Sequence, residues 1–145
     1  MGRFSAPVAA ALLAFLGVAC AASEAEGGST TAAAAVTVRT DRLTYRSGQV
    51  IVVTVRNGLA HALTATTGQS SCTIVDLDRR VQQRWVEVRN CYAGVPPVTV
   101  RIASGATRRM RLPDPLEPGT YRVRLEYRAQ GRAAEATSRA LRVER

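Results

Sequence analysis

The chain contains no lysine: all twenty of its basic residues are arginine. It has one histidine, one tryptophan and three cysteines, and aromatic residues make up 5% of its 145 positions. Each shortage excludes something. His61 stands alone, and neither Cys72 nor Cys91 has a second cysteine within four residues, so zinc-site spacing is absent. Ser70 and Ser71 lie in no Gly-x-Ser-x-Gly elbow, and no phosphate-cradling glycine loop, paired carboxylates or metal cluster is visible. No catalytic residue, metal or cofactor is therefore expected, and the chain reads as a non-enzyme. The scarcity of aromatics leaves β-branched aliphatics to fill the interior. No apolar run after residue 20 is long enough to span a bilayer.

What is present is charge of one sign, with a net +9 and a pI near 10.9. Such an excess would suit a nucleic-acid partner. The arginines are instead spread along the chain, at Arg39, Arg56, Arg84, Arg101, Arg122 and Arg142 among others, without interleaved aromatics. Complete replacement of lysine, beside abundant alanine, fits codon bias in a GC-rich genome. A solvated basic surface is expected rather than a nucleic-acid site, with weak attraction to anionic lipid or polysaccharide left open.

The first residues carry an export signature. Arg3 supplies a positive start, and Pro7 to Ala19 form about thirteen uncharged residues, the length of a secretion-signal core. Two cleavage readings compete. Leu16-Gly17-Val18-Ala19-Cys20 resembles a bacterial lipobox, with Gly17 where leucine is usual, and would make Cys20 a lipidated N-terminus. Ala19-Cys20-Ala21 also satisfies the small-x-small rule of ordinary signal peptidase. The lipoprotein reading is preferred, because it gives Cys20 a task. Residues 1–20 are thus read as a signal peptide, and the small polar stretch 21–35 as a flexible tether. Several acyl groups would be needed for stable anchoring.

Removing Cys20 leaves Cys72 and Cys91, which an oxidising compartment favours as a disulfide. The bridge would close a loop of about 20 residues, worth roughly 3 kcal/mol in the chain-entropy view.

From residue 36 to 145 the pattern has a period of two. Strands are predicted at Val36–Arg39, Val50–Arg56, Ala62–Thr67, Cys72–Leu77, Arg84–Arg89, Val98–Ile102, Thr107–Leu112, Tyr121–Arg128 and Ala140–Val143. In the eighth, Tyr121, Val123, Leu125 and Tyr127 face one way and Arg122, Arg124, Glu126 and Arg128 the other. Turn signals at Ser47-Gly48, Asn57-Gly58, Pro96-Pro97, Ser104-Gly105, Pro118-Gly119 and Gln130-Gly131 separate them. Strands at this spacing predict an all-β antiparallel sandwich of seven to eight strands. Trp85, between the two cysteines, is expected as a core anchor near the bridge. Asp76 and Asp78, followed by Arg79 and Arg80, are expected in a charged hairpin turn.

Four fragments carry a family resemblance: Leu43-Thr-Tyr45-Arg-Ser-Gly48, the strand ending at Asn57, Cys72…Trp85…Cys91, and Leu116-Glu-Pro118-Gly119-Thr-Tyr121-Arg122. Over about residues 36–143 the chain resembles bacterial immunoglobulin-like domains of secreted proteins and lipoproteins. It is similar, more loosely, to BsuPI-type proteinase inhibitors. The resemblance implies an immunoglobulin-like sandwich, turn positions of unusual φ at Gly48 and Gly119, and a tyrosine corner at Tyr121. The expected function is a binding or structural module of the cell envelope, held to a membrane through Cys20, with an unidentified protein or envelope polymer as partner. The alternative is proteinase inhibition. The loop between Cys72 and Cys91 is the most distinctive binding candidate.

Overall fold

Runs such as Val52-Val-Thr-Val-Arg-Asn57 put a β-branched side chain on a pleated surface every second residue, and a buried face selects that period. The structure is a computed structural model that describes residues 35–67, 72–88, 96–112 and 116–145, all within the unit Ala32–Arg145. The export segment, Cys20, the tether up to residue 34, Ser70, Ser71 and Cys91 lie outside the described residues. Among those described there is no helix. Eleven strands occur: β1 (Val36–Thr40), β2 (Thr44–Arg46), β3 (Val52–Asn57), β4 (Leu63–Thr66), β5 (Asp76–Val81), β6 (Arg84–Val88), β7 (Thr99–Ile102), β8 (Thr107–Arg111), β9 (Gly119–Ala129), β10 (Arg132–Thr137) and β11 (Leu141–Glu144).

They form two sheets, one of three strands ordered β1-β3-β8 and one of eight, making an open β-sandwich. The eight-stranded sheet is organised by β9. One edge of β9 pairs with β10 and then β11; the other pairs with β5 near its start and β4 near its end. β6 extends the sheet beyond β5 and β7 beyond β4. All pairings are antiparallel except β2 with β11.

The eleven strands exceed the expected seven or eight, and two of them, β2 and β10, lie outside the nine predicted segments for local reasons. β2 is three residues long, and the alanine-rich β10 packs only Ala136 against the core, so neither carries an alternation to read. The strand predicted from Cys72 begins only at Asp76. Before it, Cys72 adopts a left-handed φ of 47° and the Thr73 hydroxyl donates to the Val75 carbonyl at 2.8 Å, which bends the chain. Ile74 and Val75 are nevertheless buried.

The core lies between the sheets. Val36, Val38, Val53 and Val55 enter from the small sheet; Leu63, Leu77, Ile102, Val123, Leu125, Leu141 and Val143 enter from the large one. Burying each such side chain contributes about 1.5–3 kcal/mol. Two hairpins close with two-residue turns. Gln82 and Gln83 have φ of 44° and 67°, and Gln130 and Gly131 have 50° and 77°. Left-handed φ at both central residues is the type I′ geometry that matches strand twist. The turn at Gln82-Gln83, not Asp76–Asp78, is therefore the hairpin tip; those two aspartates lie within β5.

Candidate functional site

The quoted motifs serve the frame. Tyr45, buried on β2, donates its hydroxyl to Asp41 Oδ1 at 2.7 Å and accepts the Arg42 N–H at 2.9 Å. The same Asp41 oxygen accepts the Val52 N–H at 3.0 Å, so one carboxylate ties the start of β3 to β2. Burial works to raise the Asp41 pKa, but the Tyr45 hydroxyl and the Val52 N–H outweigh it, and the carboxyl titrates below its ordinary value. The Tyr45 phenol is pushed up, by burial and then by the carboxylate it faces. Gly48, at φ 83°, is the third residue of a turn closed by Gln49 N–H on Arg46 O at 3.0 Å. That position requires positive φ, as in a type II turn.

Asn57 is fully buried. Its amide nitrogen lies 2.9–3.1 Å from the carbonyls of His61, Ile102 and Ala103, and its oxygen accepts the Leu59 N–H at 3.0 Å. His61 thus enters through its backbone, in the bend after Asn57. Tyr121 donates its hydroxyl to Glu117 O at 2.8 Å, a corner four residues long. Burial raises the Tyr121 phenol, opposed by the Arg79 guanidinium over its ring at 5.8 Å.

The outer face of the large sheet gathers opposite charges. On β9, Arg122 and Arg124 point outward, across from Asp78 and Asp76 of β5 in register. Arg122 Nε donates to Asp78 Oδ2 at 2.8 Å, and Arg124 reaches Glu87 of β6 at 3.0 Å and Asp76 at 3.5 Å. Glu126 and Glu135 complete the ring. Five of the chain's eleven acidic side chains thus surround one guanidinium that is 17% exposed. Burial works against its charge, but Asp78, Asp76, Glu126 and Glu87 outweigh it and hold the Arg124 pKa above its ordinary value. Its Nε makes no hydrogen bond; the nearest carboxylate oxygen, on Asp78, is 3.6 Å away. Beside this cluster, where β4 diverges from β9, lies an open groove of about 490 Å³ lined in part by Thr64, Thr66, Tyr127 and Ala133.

The outer face of the small sheet is different. Cross-strand rows place Thr37–Arg56–Thr107 and Arg39–Thr54–Arg109 side by side, with Val52–Arg111 next. Arg39, Arg56, Arg109 and Arg111 are exposed, and none makes an ion pair among the described residues. The rim carboxylate, Asp41, is engaged as above.

Two expectations are corrected. Trp85 is not a core anchor. In register with Arg80, it falls on the outer face of β6, half-buried, with the Arg122 guanidinium 4.8 Å from its ring centroid. The core on this hairpin is supplied by Leu77 and Val88 instead. Gly119 does not have positive φ. Its requirement is steric, since a Cβ there would lie 3.1 Å from Arg79 Nε and 3.2 Å from the Tyr121 ring. Cys72 is exposed and is not a free thiol. Among the described residues no group of three or more His, Cys, Asp or Glu side chains is placed to hold a metal ion. No family model matches the chain, and no curated protein is similar enough to argue from.

The sequence reading missed both charged faces. Outward positions such as Arg39, Arg56 and Arg109 were legible from alternation. What joins them is pairing between strands up to seventy residues apart, which alternation does not encode.

Proposed function

We propose that this chain is an exported, immunoglobulin-like binding module of a bacterial cell envelope, lipid-anchored through Cys20 and without catalytic activity. The observation that carries the reading is the separation of charge between two outer faces: carboxylates gathered around Arg122 and Arg124 on the large sheet, and Arg39, Arg56, Arg109 and Arg111 without an ion pair among the described residues on the small one. Open charged sheets suit contact with surfaces and polymers; a reaction requires convergent groups in a water-excluding pocket. The export signature and the small polar stretch before β1 supply the setting. A bridge between Cys72 and Cys91 belongs to the same reading, and would pin the bent entry to β5.

The partner is a protein or polymer of the envelope. Immobilised chain should retain one from envelope extract, and retention should fall when Trp85 and Arg122 are both replaced by alanine. Retention of nothing beyond a Cys72→Ser, Cys91→Ser control would contradict the proposal. Inhibition of one member of a protease panel at micromolar chain would replace it with the inhibitor reading.

A further inference from the structure

We infer that the outer face of the small sheet docks flat on an anionic membrane surface, leaving the Arg124 face turned away from it; this rests on the anchored-module reading above. Three observations converge on this face. Four exposed arginines project from adjacent strands, with threonine between them and no ion pair among the described residues. Rows on neighbouring strands are about 4.8 Å apart, so Arg39 and Arg109 on either side of Thr54 stand about 10 Å apart. The arginines share one face of three neighbouring strands, and those on the two outer strands lie about a Debye length apart, so they count separately at the surface.

The second observation is position. Fifteen residues separate Cys20 from Val36, and Val36 opens β1, an edge strand of this same sheet. A chain of that length reaches about 50 Å when extended. Anchoring at Cys20 therefore keeps the β1 edge near the membrane, at an effective concentration on the order of millimolar. The third is the opposite face. Asp76, Asp78, Glu87, Glu126 and Glu135 surround Arg122 and Arg124 there and offset the other arginines of that face, Arg80, Arg101, Arg128 and Arg142, so it offers an anionic leaflet little net attraction. Unbalanced positive charge on one side and nearly balanced charge on the other orient the domain.

Each basic side chain near an anionic leaflet strengthens association about fivefold. The contact is weak alone and becomes effective through the anchor. It requires charge and not guanidinium geometry, which separates it from a bidentate phosphate site.

The test uses secreted chain carrying Cys20→Ser, which has no lipid, sedimented with vesicles of phosphatidylcholine alone or with about one-third phosphatidylglycerol. Binding is expected only to the anionic vesicles, and to fall steeply between about 50 and 200 mM salt. Replacing Arg39, Arg56, Arg109 and Arg111 by glutamine should weaken it by at least about thirtyfold. The same four changed to lysine should bind nearly as the parent does. Equal charge removal at Arg84, Arg101, Arg132 and Arg142 should cost less than about threefold, with urea midpoints confirming that all variants fold. Equal losses from the two glutamine sets would reduce the effect to net charge and overturn the inference. So would binding to duplex DNA but not to vesicles, or failure of the lysine variant. Because the chain tested has no lipid, failed docking leaves export and lipidation to be judged separately.

Discussion

Asn57 is a fully buried polar side chain engaged through both its amide nitrogen and its oxygen. Truncating it to alanine would strand the Leu59 N–H and take the amide from the His61 and Ile102 carbonyls, while the Ala103 carbonyl keeps the Ala106 N–H. We expect Asn57→Ala to destabilise by about 2–4 kcal/mol, read from urea midpoints, and Asn57→Asp to cost at least as much because an anion would face carbonyl oxygens. Trp85 tests the opposite case. On the outer face under Arg122 it should lose about 1 kcal/mol as alanine, whereas a core tryptophan would lose about 3–5. Asp41 gives the pH dependence. Its folded pKa lies below its ordinary value near 3.8, so its contribution is full above that value and disappears as pH falls through the lower one. Asp41→Asn should flatten the stability profile below about pH 4 in acid titrations followed by fluorescence. At this scale the sequence disclosed identity better than environment. Tyr121 beside Pro118-Gly119 pointed to its corner, but Trp85 was misplaced because nothing local states which face of a strand the core covers at a sheet margin.

At the scale of elements, β9 is the hinge of the sheet, with two strands on each edge. Its alternation was readable because Tyr121, Val123 and Leu125 are buried on one face throughout. Leu125→Ala should cost about 3–4 kcal/mol by calorimetry or denaturant. Its outward residues were readable too, but their partners were not: Asp78 and Arg122 meet across 44 positions of sequence. The β5–β6 hairpin carries strain that a better turn would relieve, since Gln82 and Gln83 both sit at positive φ. Replacing them by Asn-Gly should stabilise the domain by about 1 kcal/mol, visible as a higher melting temperature. β2 and β10 escaped the sequence for the same physical reason, having too few buried side chains to impose a period.

For the whole molecule, the sandwich was legible from period and punctuation, because one buried face per strand is what the pattern records. The distribution of charge was not. Only strand order brings Arg39, Arg56, Arg109 and Arg111 together on one sheet face, without an ion pair among the described residues, and sets Arg122 and Arg124 among carboxylates on the other. That division is the ground of the proposed binding role, and the proposed export would give it a surface to bind. The measurement that bears most directly on this account is the intact mass, without reduction, of the mature protein recovered from the envelope fraction. A chain beginning at an acylated Cys20, with Cys72 linked to Cys91, is the predicted result. A chain retaining residues 1–19 in the soluble cytoplasmic fraction, with all three thiols free, would contradict it.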